Sequence, residues 1–374
     1  MRARELGIRI GRMEPGRLNA ITDVAGVRVG QVTLISGDGA LTPGSGPVRT
    51  GVTVIVPHDG DIWTEPVFAG AHRLNGNGEL TGLEWIREAG MLGGAIGITN
   101  THSVGVVRDA LIEAAVRAHA MSDAVWALPV VGETYDGALN DVNGFHVRPE
   151  HVHAALAEAR DGPVVEGNVG GGTGMICHEF KGGIGTSSRL AAAWTVGVLV
   201  QANYGERALL RIDGVPVGAA IPVTDVPSPW DQVDALTPRA GSEGGSIIGI
   251  VATDAPLLPH QCARLAQRVS MGVARMGSYA SHGSGDLFLT FATGNRDLSR
   301  NSGEDDPRGT VALRMLPDRQ INPLFEAVAE ATEEAIVNAL LAAESMVGRD
   351  GITAHALDPD RLIEIMRPTR ELSS

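Results

Sequence analysis

Gly245-Ser246-Ile247-Ile248-Gly249-Ile250-Val251-Ala252-Thr253 is where a loop rich in Pro and Gly turns into an apolar strand. Residues 227–245 carry Pro227, Pro229, Pro238, Gly241, Gly244 and Gly245, and read as an extended linker without regular structure. The eight residues from Ser246 are dense in β-branched side chains and short enough for a buried strand. A hydroxyl at the first residue of a core strand, just after Gly-Gly, is the arrangement that self-cleavage requires. Glycine has no Cβ, so the preceding peptide tolerates strain and the hydroxyl can approach its own carbonyl. After an N→O acyl shift and hydrolysis, Ser246 carries both a nucleophile and a free α-amine. That amine has an ordinary pKa of about 7.7–8.0 and serves as a base near neutral pH without a histidine. A plain Gly-Ser strand start fits the same residues, so this stretch alone leaves both readings open.

Outward from that strand, Pro259 opens a helix with Cys262, Leu265, Ala266, Val269, Gly272, Val273 and Met276 on one face. Asp286–Ala292 reads as a strand apolar on both faces, which requires cover on both sides. Asn322-Pro323 begins a long helix with Phe325, Val328, Ala329, Ile336, Leu340 and Ala343 on its stripe, expected to end at Gly348. In the first half, residues 51–57, 94–99 and 194–202 read as strands and 103–120 as a helix, while much of 161–188 reads as glycine-rich loop. Two-sided strands with amphipathic helices predict an α/β sandwich, a central pair of sheets with helices outside.

The formal charge of −14 argues against nucleic acid as a partner. Cys177 and Cys262 are far apart in sequence and form no CxxC, so neither a disulfide framework nor a zinc site is expected. The N-terminus shows no apolar signal region and no stretch approaches 18 apolar residues, which gives a cytoplasmic protein with no membrane partner as the expectation. Gly167–Met175 resembles a phosphate-cradling loop but lacks the Gly-Lys-Ser/Thr ending, so no cofactor is expected there. His151-Val152-His153 lies at a helix start without a nearby third ligand, so no metal is expected either.

Four clusters carry candidate chemistry. Beside Gly245-Ser246 stands His282-Gly283-Ser284-Gly285-Asp286, a hydroxyl and a carboxylate two residues apart on a glycine turn feeding a core strand. An ordinary turn with a locally bonded Asp fits that pattern too. Gly132–Asp141 packs Glu133, Thr134, Tyr135, Asp136, Asn140 and Asp141 into one short segment, which also fits a polar loop. Gln201-Ala202-Asn203-Tyr204-Gly205 ends a buried strand, where the Asn203 amide is placed either to donate to an oxyanion or to close a turn.

In this order the clusters resemble the L-aminopeptidase/D-esterase family of self-processing serine peptidases, which includes the β-aminopeptidases. Leu18–Val27, His72–Glu79, Ile98–His102, Gly170–Met175 and Ala252–Gln261 extend the resemblance from about residue 18 to near Gly348. The resemblance implies a four-layer αββα fold related to N-terminal nucleophile hydrolases but differently connected, assembled as an oligomer of αβ heterodimers, for example four. It implies one domain in two pieces, residues 1–245 and 246–374, cut between Gly245 and Ser246. It implies Ser246 as nucleophile, supported by Ser284 and Asp286, with Tyr135 and Asn203 around the tetrahedral intermediate and Asn203 as oxyanion donor. Some β-aminopeptidases have Glu where this chain has Asp286. Glu133 is the candidate for holding the substrate's ammonium group. The implied substrates are small peptides, amides or esters, opened through a seryl acyl-enzyme without a cofactor. Two rival readings fit less well. An ornithine-acetyltransferase-like acyl carrier is expected to use threonine, against Ser246, and an uncut binding protein has no need of Ser246, Ser284, Asp286, Tyr135 and Asn203 together.

Overall fold

The computed structural model describes residues 1–122, 125–236, 245–296, 298 and 310–371. In chain order its elements begin with β1 (Arg28–Ser36), β2 (Val48–Val56), β3 (Val67–Gly76), α1 (Leu83–Ala89), β4 (Met91–Leu92), β5 (Ile96–Asn100) and α2 (Val104–Ala118). They continue with β6 (Val130–Thr134), α3 (Pro149–Ala157), the short hairpin β7 (Ile176–Cys177) and β8 (Phe180–Lys181), then β9 (Gly183–Ala191), β10 (Trp194–Asn203) and α4 (Pro229–Leu236). The last third holds β11 (Ser246–Thr253), α5 (Pro259–Arg275), β12 (Gly285–Ala292), α6 (Asn322–Ala342), the β13 (Met346–Val347) and β14 (Thr353–Ala354) hairpin, and α7 (Pro359–Glu371).

Two sheets face each other: four strands in the order β1-β2-β5-β6, and six in the order β4-β3-β12-β11-β10-β9. Ile55, Ile96, Ile98 and Val130 of the smaller sheet meet Leu199, Ile248, Ile250, Leu289 and Phe291 of the larger in one apolar layer. The outer face of the smaller sheet, with Val52, Val54 and Val131, is covered by α2 and α3 through Val107, Leu111, Val152 and Ala155. On the other side Ile247, Val251 and Phe288 lie under α5 and α6, against Leu265, Val269, Val273, Val328 and Ile336. The result is the expected αββα sandwich. Fully burying one such aliphatic side chain contributes about 1.5–3 kcal/mol, which is why both faces of the central strands must be apolar.

The expected β11 matches its observed bounds residue for residue, and α5 runs from Pro259 with its expected stripe buried. Three expectations need correction. Within the segment 161–188, expected to be mostly loop, a full strand begins: Gly183–Ala191, whose Thr186, Ser187, Ser188 and Arg189 are buried by polar partners rather than by hydrophobicity. The linker 227–245 contains the helix α4, favoured by Pro at its first residue, while residues 237–244 lie outside the described residues. α6 stops at Ala342 rather than at Gly348, because the chain turns there into the β13–β14 hairpin. It is also buried around most of its circumference, so a single stripe understates its surroundings.

In the larger sheet, β11 and β12 lie between β3 and β10. Residues on either side of Gly245 therefore share one hydrogen-bonded layer.

Candidate active site

The ends of three neighbouring strands meet at one place. Asn203 closes β10 opposite Ser246, the first residue of β11, and Ser246 lies in parallel register with Gly285, the first residue of β12. Strand alternation sets where each side chain goes. Ile248 and Ile250 face the second sheet, so Ser246 shares that face with Asn203, which lies at even spacing from Leu199. Asp286 shares its parity with Phe288 and belongs to the face toward α5.

Two glycines permit this approach. A Cβ on Gly245 would lie 2.0 Å from the Asn203 carbonyl oxygen and 2.4 Å from Tyr204 Cα. A Cβ on Gly285 would lie 2.3 Å from the Asn77 carbonyl oxygen. All three distances are far inside van der Waals contact with backbone, so any larger residue forces the strands apart.

The hydrogen bonds give the site its polarity. The Gly285 N–H donates to Ser246 Oγ at 3.1 Å. The Ser284 hydroxyl donates to Asp286 Oδ1 at 2.5 Å, while Asp286 Oδ2 is buried without a hydrogen-bond partner. Burial pushes the Asp286 carboxyl up to about 6, with the Ser284 hydroxyl and the Ile247 backbone N–H opposing it. A carboxylate held this way is ready to accept a proton or a hydrogen bond from an ammonium group.

The amide of Asn203 is fixed in one orientation. Its Oδ1 accepts the Ile176 N–H at 2.8 Å and its Nδ2 donates to the Tyr135 carbonyl at 3.0 Å. Flipping it would set donor against donor and acceptor against acceptor. Its second N–H is the one free to serve an oxyanion. The Ile176 donor sits in the β7–β8 hairpin, whose mouth is closed by Lys181: its Nζ donates to the carbonyls of Met175 at 2.7 Å and Gly182 at 2.8 Å. Lys181 is fully buried and burial lowers its pKa to about 7; even as a neutral amine it has the two N–H groups these carbonyls need. Sequence reasoning misses Lys181, because nothing local distinguishes a buried lysine from a surface one.

Glu133 lies at the end of β6 in the facing sheet, buried, with its pKa raised by that burial and held down by Thr101. Its Oε1 accepts the Glu79 N–H at 3.0 Å and its Oε2 the Thr101 hydroxyl at 2.5 Å. Gly78 joins it to the strand ends: a Cβ there would be 2.9 Å from Glu133 Oε1 and 3.4 Å from Gly285 Cα. Tyr135 contributes its carbonyl to Asn203, while the residue is 47% exposed and the tip of its ring lies over Gly137, where a Cβ would push it aside. Behind it Asp136 is fully buried, pushed up to about 6 by burial, and held by the amides of Asn100 and Asn140 at 3.0 Å each. Asn100, Thr101 and Asn140 belong to recognisable motifs, but only the fold gives them a role, which is to anchor the Glu133–Asp136 segment.

A cavity of about 510 Å³ opens beside Asn203, Gly245 and Ser284. Among the described residues no group of three or more His, Cys, Asp or Glu side chains is placed to hold a metal.

This αββα sandwich, with a serine hydroxyl at a central strand start and a fixed amide opposite it, defines a serine-type hydrolase of the N-terminal nucleophile fold class. The chain belongs to peptidase family S58, whose model matches residues 19–354, and it is an aminopeptidase. It is 48% identical to the β-peptidyl aminopeptidase BapA of Sphingosinicella microcystinivorans, over 100% of this chain and 93% of that protein. Its structure is similar to a β-aminopeptidase of Burkholderia sp. with a TM-score of 0.88 and 53% identity, covering 98% of this chain and 99% of the other. The L-aminopeptidase D-Ala-esterase/amidase of Ochrobactrum anthropi, a prototype serine aminopeptidase with a variant of the same fold, matches with a TM-score of 0.88 and 42% identity over 99% of each chain.

Proposed function

We propose that this aminopeptidase matures by cutting itself between Gly245 and Ser246 and then uses Ser246 as an N-terminal nucleophile. The observation that supports this most is the convergence of Asn203, Ser246 and Gly285 at one sheet end, with the half-satisfied Asp286 beside them. In maturation the Ser246 hydroxyl attacks the Gly245 carbonyl, and the ester formed is hydrolysed to residues 1–245 and 246–374. The two pieces stay together because β11 and β12 of the second lie between β3 and β10 of the first in one sheet.

In turnover Ser246 Oγ attacks the carbonyl after the substrate's N-terminal residue, and its proton passes to the new α-amine. Asp286, aligned by Ser284, stabilises the ammonium so formed. The free N–H of Asn203 stabilises the oxyanion, where one donor is typically worth about 2.7–4 kcal/mol of barrier. Tyr135 borders the tetrahedral intermediate, and Glu133 receives the substrate's ammonium group from the facing sheet. The leaving amine or alcohol takes the proton, and water then opens the acyl-enzyme. Amides and esters share that intermediate, so both are substrates. The relatives point to N-terminal β-residues first, with L-α-residue and D-Ala compounds as further substrates. Assembly as an oligomer of αβ pairs and a cytoplasmic site of action complete the reading.

N-terminal sequencing of the purified protein tests it. The smaller fragment is expected to begin Ser-Ile-Ile-Gly, and Ser246→Ala to leave one full-length band. A cut elsewhere, or a cut in Ser246→Ala, would overturn the scheme.

A further inference from the structure

We propose that Gln201 is a positioning residue for substrate selection: it fixes the gap between the Ser246 strand end and Glu133, and so favours N-terminal β-residues over α-residues. The inference rests on the reading of Glu133 as partner of the substrate's ammonium group. In a β-residue the amine stands one more carbon–carbon bond, about 1.5 Å, from the carbonyl that Ser246 attacks. A misplacement of about 1 Å can cost about 10²-fold in rate, so the width of that gap decides between the two classes. Glu133 is not free to swing after a shorter substrate. It is buried, and both its carboxylate oxygens are held, by the Glu79 N–H and the Thr101 hydroxyl. Its distance from Ser246 is therefore set by how the two sheets are spaced at this end.

Two amides on one face of β10 cross between the sheets here. Asn203, opposite Ser246, reaches the Tyr135 carbonyl, and Gln201, two residues earlier and opposite Ile248, reaches β5 and β6. Gln201 Nε2 donates to the Thr99 carbonyl at 2.9 Å and to the Thr134 hydroxyl at 2.8 Å. Thr99 is the register partner of Glu133 in β5, and Thr134 is its chain neighbour in β6, so one amide holds a residue on two sides of Glu133. Gln201 is fully buried and leaves a bond unmade to do this. Its Oε1 has no hydrogen-bond partner and lies over Gly171, where a Cβ would come within 2.2 Å of it. Turning the amide over would set that oxygen against the Thr99 carbonyl, so the orientation is fixed. The apolar layer deeper in the sandwich holds the sheets together without direction. A hydrogen bond weakens outside about 2.7–3.2 Å, which makes the Gln201 amide a spacer of defined length.

The test compares β-alanyl and L-alanyl p-nitroanilides, which share a leaving group, with p-nitrophenyl propionate, an ester of the acyl group that both carry without its amine. Gln201→Met is close in length to the native side chain but has no donor. The β-alanyl to L-alanyl ratio of kcat/KM is expected to exceed one in the mature wild type. In Gln201→Met that ratio should fall about tenfold, with the propionate ester changed by no more than about twofold, as for a shift of a fraction of an ångström at the ammonium alone. In a Glu133→Gln background the same substitution should leave the ratio unchanged, because the coupled partner is gone. Thr134→Val removes the β6 end of the tie and keeps the Thr99 bond; it should lower the ratio by a smaller factor, and takes over the test if Gln201→Met does not fold. A wild-type ratio near one, a ratio unchanged by the substitution, or an equal fall on all three substrates overturns the proposal. Failure of the Glu133 reading is seen separately, as an equal loss on the propionate ester in Glu133→Gln.

Discussion

Two buried polar clusters, at different places on the same sheet, answer to opposite requirements. Around Arg189 in β9 every guanidinium nitrogen is used: Nε bonds Glu330 at 3.1 Å, Nη1 bonds Ser187 and Ser188, and Nη2 bonds Glu334 at 2.7 Å and the Ile10 carbonyl. Glu330 also accepts the backbone N–H groups of Arg12 and Met13, and Glu334 accepts Arg4 and Asn19. The cluster ties the N-terminal segment to α6 with its ions paired. At the strand ends, by contrast, Asp286 has one oxygen bonded and one buried without a partner, and its pKa is raised. A satisfied network holds structure, whereas a carboxylate with a buried oxygen left unpaired beside the proposed nucleophile is an acceptor ready for a proton.

Substitution should separate the two. Asp286→Asn is expected to lower kcat by about 10²–10⁴-fold, the usual worth of a positioned acid–base group. Its thermal midpoint at pH 8 should be no lower than wild type. The raised pKa sets the sign: an ionised carboxylate whose folded pKa is about 6, above its ordinary 3.8, disfavours the folded state above pH 6, and that cost fades as pH falls toward 4. The acid limb of kcat/KM should move to lower pH in this variant, because an α-amine without its carboxylate neighbour loses its proton more readily. A fully cut Asp286→Asn protein with wild-type turnover between pH 6 and 9 would remove the contrast.

Arg189→Met should do the reverse. Removing one partner of a buried ion network typically costs about 3–5 kcal/mol of stability, here measured by denaturant unfolding, with kcat per folded molecule unchanged. A large kcat loss in folded protein would show that the cluster reaches the site.

Glu133→Gln stands between the two. In Glu133→Gln the amide oxygen can go on accepting the Glu79 N–H while the Thr101 hydroxyl turns to accept from the new amide N–H, so the fold should survive. A charge-assisted bond is worth roughly 1.5–3 kcal/mol, so kcat/KM on substrates with a free amine should fall by about one to two decades. On an amine-free ester the loss should be small.

The smallest effect is expected at Lys181. Lys181→Met leaves the Met175 carbonyl with the Gly182 N–H but removes the clamp on the hairpin that orients Asn203. A loss in kcat of about tenfold with KM unchanged fits a misplaced oxyanion donor. The wild type should gain stability from this group as pH rises from about 7 toward 10.5, because a buried amine is easier to fold neutral; Lys181→Met should lose that gain.

The same division governs how much of the molecule is legible in its sequence. β11 and α5 announce themselves because apolar periodicity alone sets them, and the strand starts put Ser246 and Asp286 where their motifs suggest. β9 does not, since Ser187, Ser188 and Arg189 look like loop residues until Asn19, Glu330 and Glu334 arrive from distant parts of the chain to satisfy them. α4 is hidden by the prolines around it. Asn203 is visible as an amide at a strand end, but the two bonds that fix its orientation come from Ile176 and Tyr135, far away in sequence. Contacts of that range leave no local periodicity to read.

Ser246 is the group expected to be acylated during turnover. An acid quench of the mature enzyme with a slowly hydrolysed ester substrate, then peptide mapping, reads this directly. One acyl group per active site is expected, carried by the peptide that begins at Ser246 and located on its hydroxyl. An acyl group on Ser284, or full turnover with no modification of Ser246 at any quench time, would contradict it.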